Sequence, residues 1–146
     1  MKNMRGIVMV EFALIASVLM ILLFGCIEFA RATYSFAALN EGTRRAARLA
    51  AVCPINDPAI ADAVNFMGIY GFTNANVSVD YLDANGTALG ANPALGNVYY
   101  ARVSVVGFTI PLAIPFVDPL LTSPSFAVTL PAESLGISNT GASTAC

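Results

Sequence analysis

Residues 7–27 read IVMVEFALIASVLMILLFGCI, 21 residues carrying one charge, Glu11. As a helix rising ~1.5 Å per residue this stretch is ~31 Å long, close to the ~30 Å hydrocarbon core of a bilayer. A secretory signal peptide is the competing reading. Met1–Arg5 would be its basic end and Phe12–Phe24 its apolar run, within the usual ~7–15 residues. Leu23-Phe24-Gly25 does not supply small residues in an A-x-A pattern, however, and the helical pattern runs on through the supposed cleavage zone.

Beyond the apolar stretch, Phe29, Ala32, Phe36, Leu39, Thr43, Ala46, Ala50 and Cys53 recur at alternating spacings of 3 and 4. This is a heptad-like stripe of small or apolar residues, suited to packing. Glu41, Arg44, Arg45 and Arg48 lie off it, and Glu41 stands one turn before Arg44 and Arg45, as on a solvated helix face. Contact with anionic lipid is the sharper alternative for those arginines. The eight prolines all follow residue 53. Proline breaks helix interiors, so its absence from 7–52 permits one long helix.

Composition points the same way. AVILMFWYC residues make up 57% of the 146-residue chain and charged residues 11%, which argues against disorder. Seven Lys+Arg against nine Asp+Glu do not make a nucleic-acid-binding surface. The chain has no histidine, so no mechanism can use its own imidazole as base or metal ligand. Residues 1–52 carry six basic and three acidic groups, net +3; residues 53–146 carry one and six, net −5. The boundary is placed at Cys53-Pro54.

Glu11 is the informative residue. A carboxylate within a membrane span costs ~2.5–3.5 kcal/mol and is by default a functional position. Arg31, 20 residues on, is ~30 Å away along a helix. Arg5-Gly6-Ile7-Val8-Met9-Val10-Glu11-Phe12 offers another partner. A cut after Gly6 would make Ile7 the N-terminus and place its ammonium one turn from Glu11. It could pair with its own Glu11 or a neighbour's. The cut would also remove Lys2 and Arg5.

A short basic leader ending in Gly, then apolar residues with Glu at the fifth mature position, resembles the signal of type IV pilin-like proteins. With Glu28-Phe29-Ala30-Arg31, Asn40–Arg48 and Ala50-Ala51-Val52 it is similar to the TadE-like pseudopilins of tight-adherence (Flp-type) pilus systems, over residues 5–52. The resemblance implies that Gly6 and Ile7 flank the processing site, that Glu11 is the assembly carboxylate and that Phe12 completes the recognition pair. It further implies a pilus-assembly subunit in the cytoplasmic (inner) membrane or the pilus, spanning once with its head outside. Its partners would be other pilin or pseudopilin subunits, a prepilin peptidase and membrane lipid. Positive-inside counting is nearly balanced and decides little, so orientation follows the processing motif.

The chain thus divides into a leader (1–6), a transmembrane and assembly helix (7–52) and an exported head (53–146). The fold class is α+β: a long N-terminal helix with an amphipathic extension, a short second helix and a small antiparallel sheet. Asp57-Pro58 starts the second helix. Ile60, Val64 and Met67 form its apolar face, with Phe66 at the margin, and it ends near Gly68 or Gly71. Val77, Val79 and Tyr81 alternate with Ser78, Asp80 and Leu82 as a strand, and Asp83-Ala84-Asn85-Gly86 is a turn. Val98–Phe108 is a second strand, with Tyr99, Ala101, Val103 and Val105 on one face. Pro111, Pro115 and Pro119 predict an irregular apolar loop that folds onto the sheet or meets a partner. Phe126–Leu130 is a third strand, and 138–145 a small, polar tail, loose unless Cys146 ties it down.

If the head is exported to an oxidising compartment, Cys53 and Cys146 are the sensible intramolecular pair; Cys26 lies in the span. Three cysteines without histidine build no common zinc site, and no cofactor is expected. Asp80 and Asp83 read as solvated carboxylates. The chain lacks a Gly-rich phosphate loop and a G-x-S-x-G elbow, so an enzyme is not expected. Two readings of another class stand beside the pilin-like one. Leu23-Phe24-Gly25-Cys26 looks like a lipobox, which would make a surface lipoprotein lipidated at Cys26, although Phe24 fits that motif poorly. An uncleaved single-pass anchor with an interaction domain is the other.

Overall fold

The computed structural model describes residues 5–111 and 120–146. One helix, α1, runs unbroken from Arg5 to Val52, so the apolar stretch and the packed stripe belong to a single rod of ~72 Å. Helix α2 spans Pro58–Asn65. Strands β1 (Val77–Leu82), β2 (Tyr100–Val105) and β5 (Ala127–Pro131) form an antiparallel sheet with β2 in the middle. Strands β3 (Thr109–Pro111) and β4 (Leu120–Thr122) pair as a separate two-stranded ribbon between β2 and β5. The architecture is α+β.

The head packs only on the C-terminal half of α1. Of the stripe, Ala32, Leu39, Thr43, Ala46, Ala50 and Cys53 are buried and Phe36 is half-buried, while Phe29 is exposed. Phe36 meets Phe126 with ring centroids 6.3 Å apart. Thr43 is tolerated in the core because its Oγ1 donates to the Leu39 carbonyl at 2.7 Å, so no polar atom is left unpaired. Ala38, Ala47 and Ala51 widen the buried face. Small side chains there let α2 and strands β2 and β5 approach α1.

The sheet turns one face to that helix. Register places Val79, Val103 and Val128 in one row and Tyr81, Ala101 and Leu130 in the next, as period-two alternation requires. The other face pairs Asp80 opposite Arg102, whose Nε donates to Thr129 Oγ1 at 3.2 Å. Tyr99 departs from expectation. It precedes β2 and is exposed, while Ala101, Val103 and Val105 are buried. Leu82, assigned by alternation to the polar face, is also buried.

Helix α2 begins as its sequence requires. Asp57 caps it by accepting from the Ala59 amide at 2.9 Å, with Pro58 at the first turn. It ends at Asn65, earlier than the glycine signal indicates, because the chain turns there: the Gly68 amide donates to the Asn65 carbonyl at 3.0 Å. Phe66 is consequently exposed, and Met67 packs on the core from outside the helix. The turn at Asp83–Gly86 is built by Asp83 Oδ1, which accepts from the Asn85 and Thr87 amides at 2.8 Å each. Pro111 closes β3 rather than entering an irregular loop; the rest of that apolar segment, 112–119, lies outside the described residues.

The far end of α1 is held by the C-terminal tail. A helix leaves its last carbonyls without intrahelical donors. Here the Glu133 amide donates to the Ala51 carbonyl at 2.9 Å, and the Gly136 amide and Ser134 Oγ donate to that of Val52 at 2.6 and 3.0 Å. Cys53 and Cys146 are joined in a disulfide, Cα–Cα 5.7 Å. The Thr144 amide also donates to the Gly136 carbonyl at 2.8 Å.

Candidate functional site

The residues singled out for processing and assembly lie on the bare half of α1. Every residue from Gly6 to Ile27 is exposed except Ala16, which is half-buried. Ile7 is 70% exposed and Phe12 71%. Gly6, Ile7, Val10, Glu11 and Leu14 line one shallow apolar surface of the helix, as i, i+3 and i+4 spacing requires. Glu11 thus projects from an apolar face one turn beyond Ile7, and the head, which covers α1 from about residue 28 onward, does not reach it. This is the only helix among the described residues long and apolar enough to cross a membrane.

Among the described residues, none packs against Gly6. A Cβ built on it meets nothing within 4 Å, and its φ is not in the left-handed region. Gly42 is the contrasting case. A Cβ there would stand 3.1 Å from both the Cα and the carbonyl oxygen of Val64, so its missing side chain allows α2 to press against α1. Composition and spacing could not single it out, because the close approach belongs to another element.

Two ion pairs lie along α1 beyond the apolar stretch. Glu28, buried to 8% exposure, accepts from Arg31 Nη1 at 2.8 Å, and Arg45 Nε donates to Glu41 at 2.9 Å. That hydrogen bond, with Arg45, Arg44 and Arg48 adding charge attraction, holds the Glu41 carboxyl below its ordinary pKa. Glu28 was part of the family-like segment in the sequence but not a site residue; its signal is the Arg31 placed three residues on. Asp80 and Asp83 are not brought together into a pocket: Asp80 lies in β1 opposite Arg102, and Asp83 builds its turn. Among the described residues no three acidic or cysteine side chains converge on a point that could hold a metal ion. Cys26 is an exposed free thiol on the bare half of α1.

Arg45, Arg48, Leu49, Ala59, Asp62, Ala63 and Phe66 line an open groove between α1 and α2. The arginines there are remote from the apolar stretch: Arg45 is 18 residues past Ile27, ~27 Å along the helix. That exceeds the ~8–10 Å screening length at physiological salt.

No curated protein and no solved structure matches the chain. A family match falls on α1, on the segment holding Gly6, Glu11, Glu28, Gly42 and the stripe as far as Ala46. Residues 6–48 match the family model described as TadE-like protein, and over that segment the chain is TadE-like.

Proposed function

We propose that the chain is a pilin-like structural subunit, a pseudopilin, of a tight-adherence-type pilus. In this reading α1 is anchored in the cytoplasmic membrane, residues 1–6 are removed by a prepilin peptidase, and the head stands outside the cytoplasm. The observation that carries it is the division of one continuous helix. Its packed half holds the head, and its bare half presents a membrane-length apolar surface broken by Glu11 alone.

Physical chemistry supplies the assembly step. Glu11 costs ~2.5–3.5 kcal/mol in the hydrocarbon. A neighbour's Ile7 ammonium at ~4 Å would return about 4 kcal/mol at an effective dielectric constant near 20. The two magnitudes are comparable, so pairing offsets the cost of Glu11 and lowers the cost of transferring the subunit into an assembly. Gly6 supports the processing step, since a Cβ there would meet nothing within 4 Å among the described residues and the position is open to an outside requirement. The Cys53–Cys146 disulfide suits an oxidising compartment for the head.

The intact mass and N-terminal residue of the membrane-extracted protein test the reading. A start at Ile7 supports it. A start at acylated Cys26 would replace it with the lipoprotein, and an uncut chain with a plain single-pass anchor. Glu11→Leu is expected to insert in the membrane at least as well as the parent and to fail in assembly; normal assembly would sink the pairing mechanism.

A further inference from the structure

The membrane-proximal end of the head carries a second feature. Arg31, Tyr34, Ser35, Gly68, Ile69 and Tyr70, with Ile110 and Pro111, line a small notch of about 170 Å³. Tyr34 is 59% exposed and Tyr70 78%. Tyr70 is held there by its neighbours. Ile69 and Phe72 are buried on either side of it, the Phe72 amide donates to the Ile69 carbonyl at 3.1 Å, and Gly68 and Gly71 take φ of +61° and +79°. The chain therefore projects one aromatic ring outward between two anchored residues.

The height of this notch follows from the helix. Arg31 is four residues past Ile27 and Tyr34 seven, ~6 and ~10 Å along α1. The polar headgroup layer occupies ~5–7 Å on each side of the hydrocarbon. Side chains on a helix lean toward its N-terminus, here toward the bilayer, so the Tyr34 ring reaches back into that layer. Tyrosine favours this zone because its ring is apolar and its hydroxyl polar. The Arg31 guanidinium has five N–H donors; one of its nitrogens, Nη1, meets Glu28.

We propose that Arg31, Tyr34 and Tyr70 dock the underside of the head into the phospholipid headgroup layer, fixing the head's height and rotation on its anchor. The docking rests on α1 crossing the membrane as proposed above. Tyrosine rings and guanidinium contacts to lipid phosphate hold it. The Glu28–Arg31 pair leaves the notch without net charge, so docking does not need anionic lipid.

The chain has no tryptophan, so single substitutions make clean probes. Full-length Tyr70→Trp, Tyr99→Trp and Phe24→Trp would be placed in phosphatidylcholine vesicles carrying a nitroxide on the headgroup or deep on the acyl chain. Tyr99 serves as the distant control. It lies by Ala132, and the next residue, Glu133, bonds Ala51 at the far end of α1. The expected result is loss of Tyr70→Trp emission with the headgroup nitroxide, little loss for Tyr99→Trp, and loss for Phe24→Trp with the acyl nitroxide. If Phe24→Trp behaves so but Tyr70→Trp is quenched no more than Tyr99→Trp, or more by the acyl label than by the headgroup label, docking is overturned and the span stands. If Phe24→Trp escapes the acyl nitroxide, the span fails and docking with it.

Discussion

Gly136→Ala should destabilise the head sharply, and a second glycine shows why. Gly136 has φ +78°, and a Cβ there would stand 2.5 and 2.7 Å from Pro54 Cγ and Cδ and 2.8 Å from Pro54 N. Carbon atoms in contact normally rest ~3.5–4.0 Å apart, so something must move by about 1 Å. Little can yield. The obstacle is a proline ring and its backbone, the Gly136 amide is bonded to the Val52 carbonyl at 2.6 Å, and Cys53 is cross-linked to Cys146. Left-handed backbone for an L-residue costs about 1–2 kcal/mol, and forced overpacking about 1–3 kcal/mol more. Gly141 has φ +80° with nothing within 4 Å of its built Cβ, so Gly141→Ala isolates the first cost. The assay is urea unfolding of the full-length chain in mild detergent, followed by the near-ultraviolet circular dichroism of the tyrosines. With m near ~2 kcal/mol/M, the Gly136 variant should unfold about 1 M urea below the Gly141 variant. Equal midpoints would refute the reasoning, since they would mean that the Pro54 contact yields without cost.

The remaining expectations concern the same fastening and the core beside it. Replacing Cys53 and Cys146 together by serine opens a loop of sequence separation 93, which should lower stability by up to about 4.7 kcal/mol on chain entropy; thiol reductant should lower the parent's urea midpoint comparably and leave the double variant unchanged. Tyr81, whose hydroxyl accepts from the Asn56 amide at 3.3 Å, has its pKa raised, first by burial. A raised acid pKa favours the protonated folded form, so this stabilisation is complete below pH ~10 and is lost as pH rises through the folded value. In an ultraviolet phenolate titration, one of the five tyrosines should ionise after the others; five superimposed transitions with the head still folded would refute it.

Much of the fold is legible in single residues because the signals are local. The 3-and-4 spacing from Ala32 to Cys53 names the buried face of α1, since a helix repeats every 3.6 residues whatever it packs against. Asp57-Pro58 starts α2 through contacts spanning two residues, and the alternation from Ala101 to Val105 marks the core side of β2. The signals fail where distant segments decide. Gly68 closes the turn that ends α2 on Asn65, but that it and Gly71 frame Tyr70 between two anchored residues depends on the core into which Ile69 and Phe72 fold. Phe29, in register with the stripe, stays bare while Glu28 beside it is buried, because at that level the head covers the neighbouring side of the helix. Pro111 ends a strand because β4 lies beside it.

The sequence by itself determined a single long helix, its membrane-length apolar half, the solitary charge at Glu11 and the face that the head would cover. These depend on residue chemistry and helical period, both written into consecutive positions. Only the tertiary structure decided that Gly42 admits Val64, that Gly136 lies against Pro54, that the tail serves the last carbonyls of α1, and that Tyr70 stands beside Tyr34 above the apolar half. Each of these joins residues at least 22 positions apart, and no local rule of propensity or spacing relates such positions until the chain has folded.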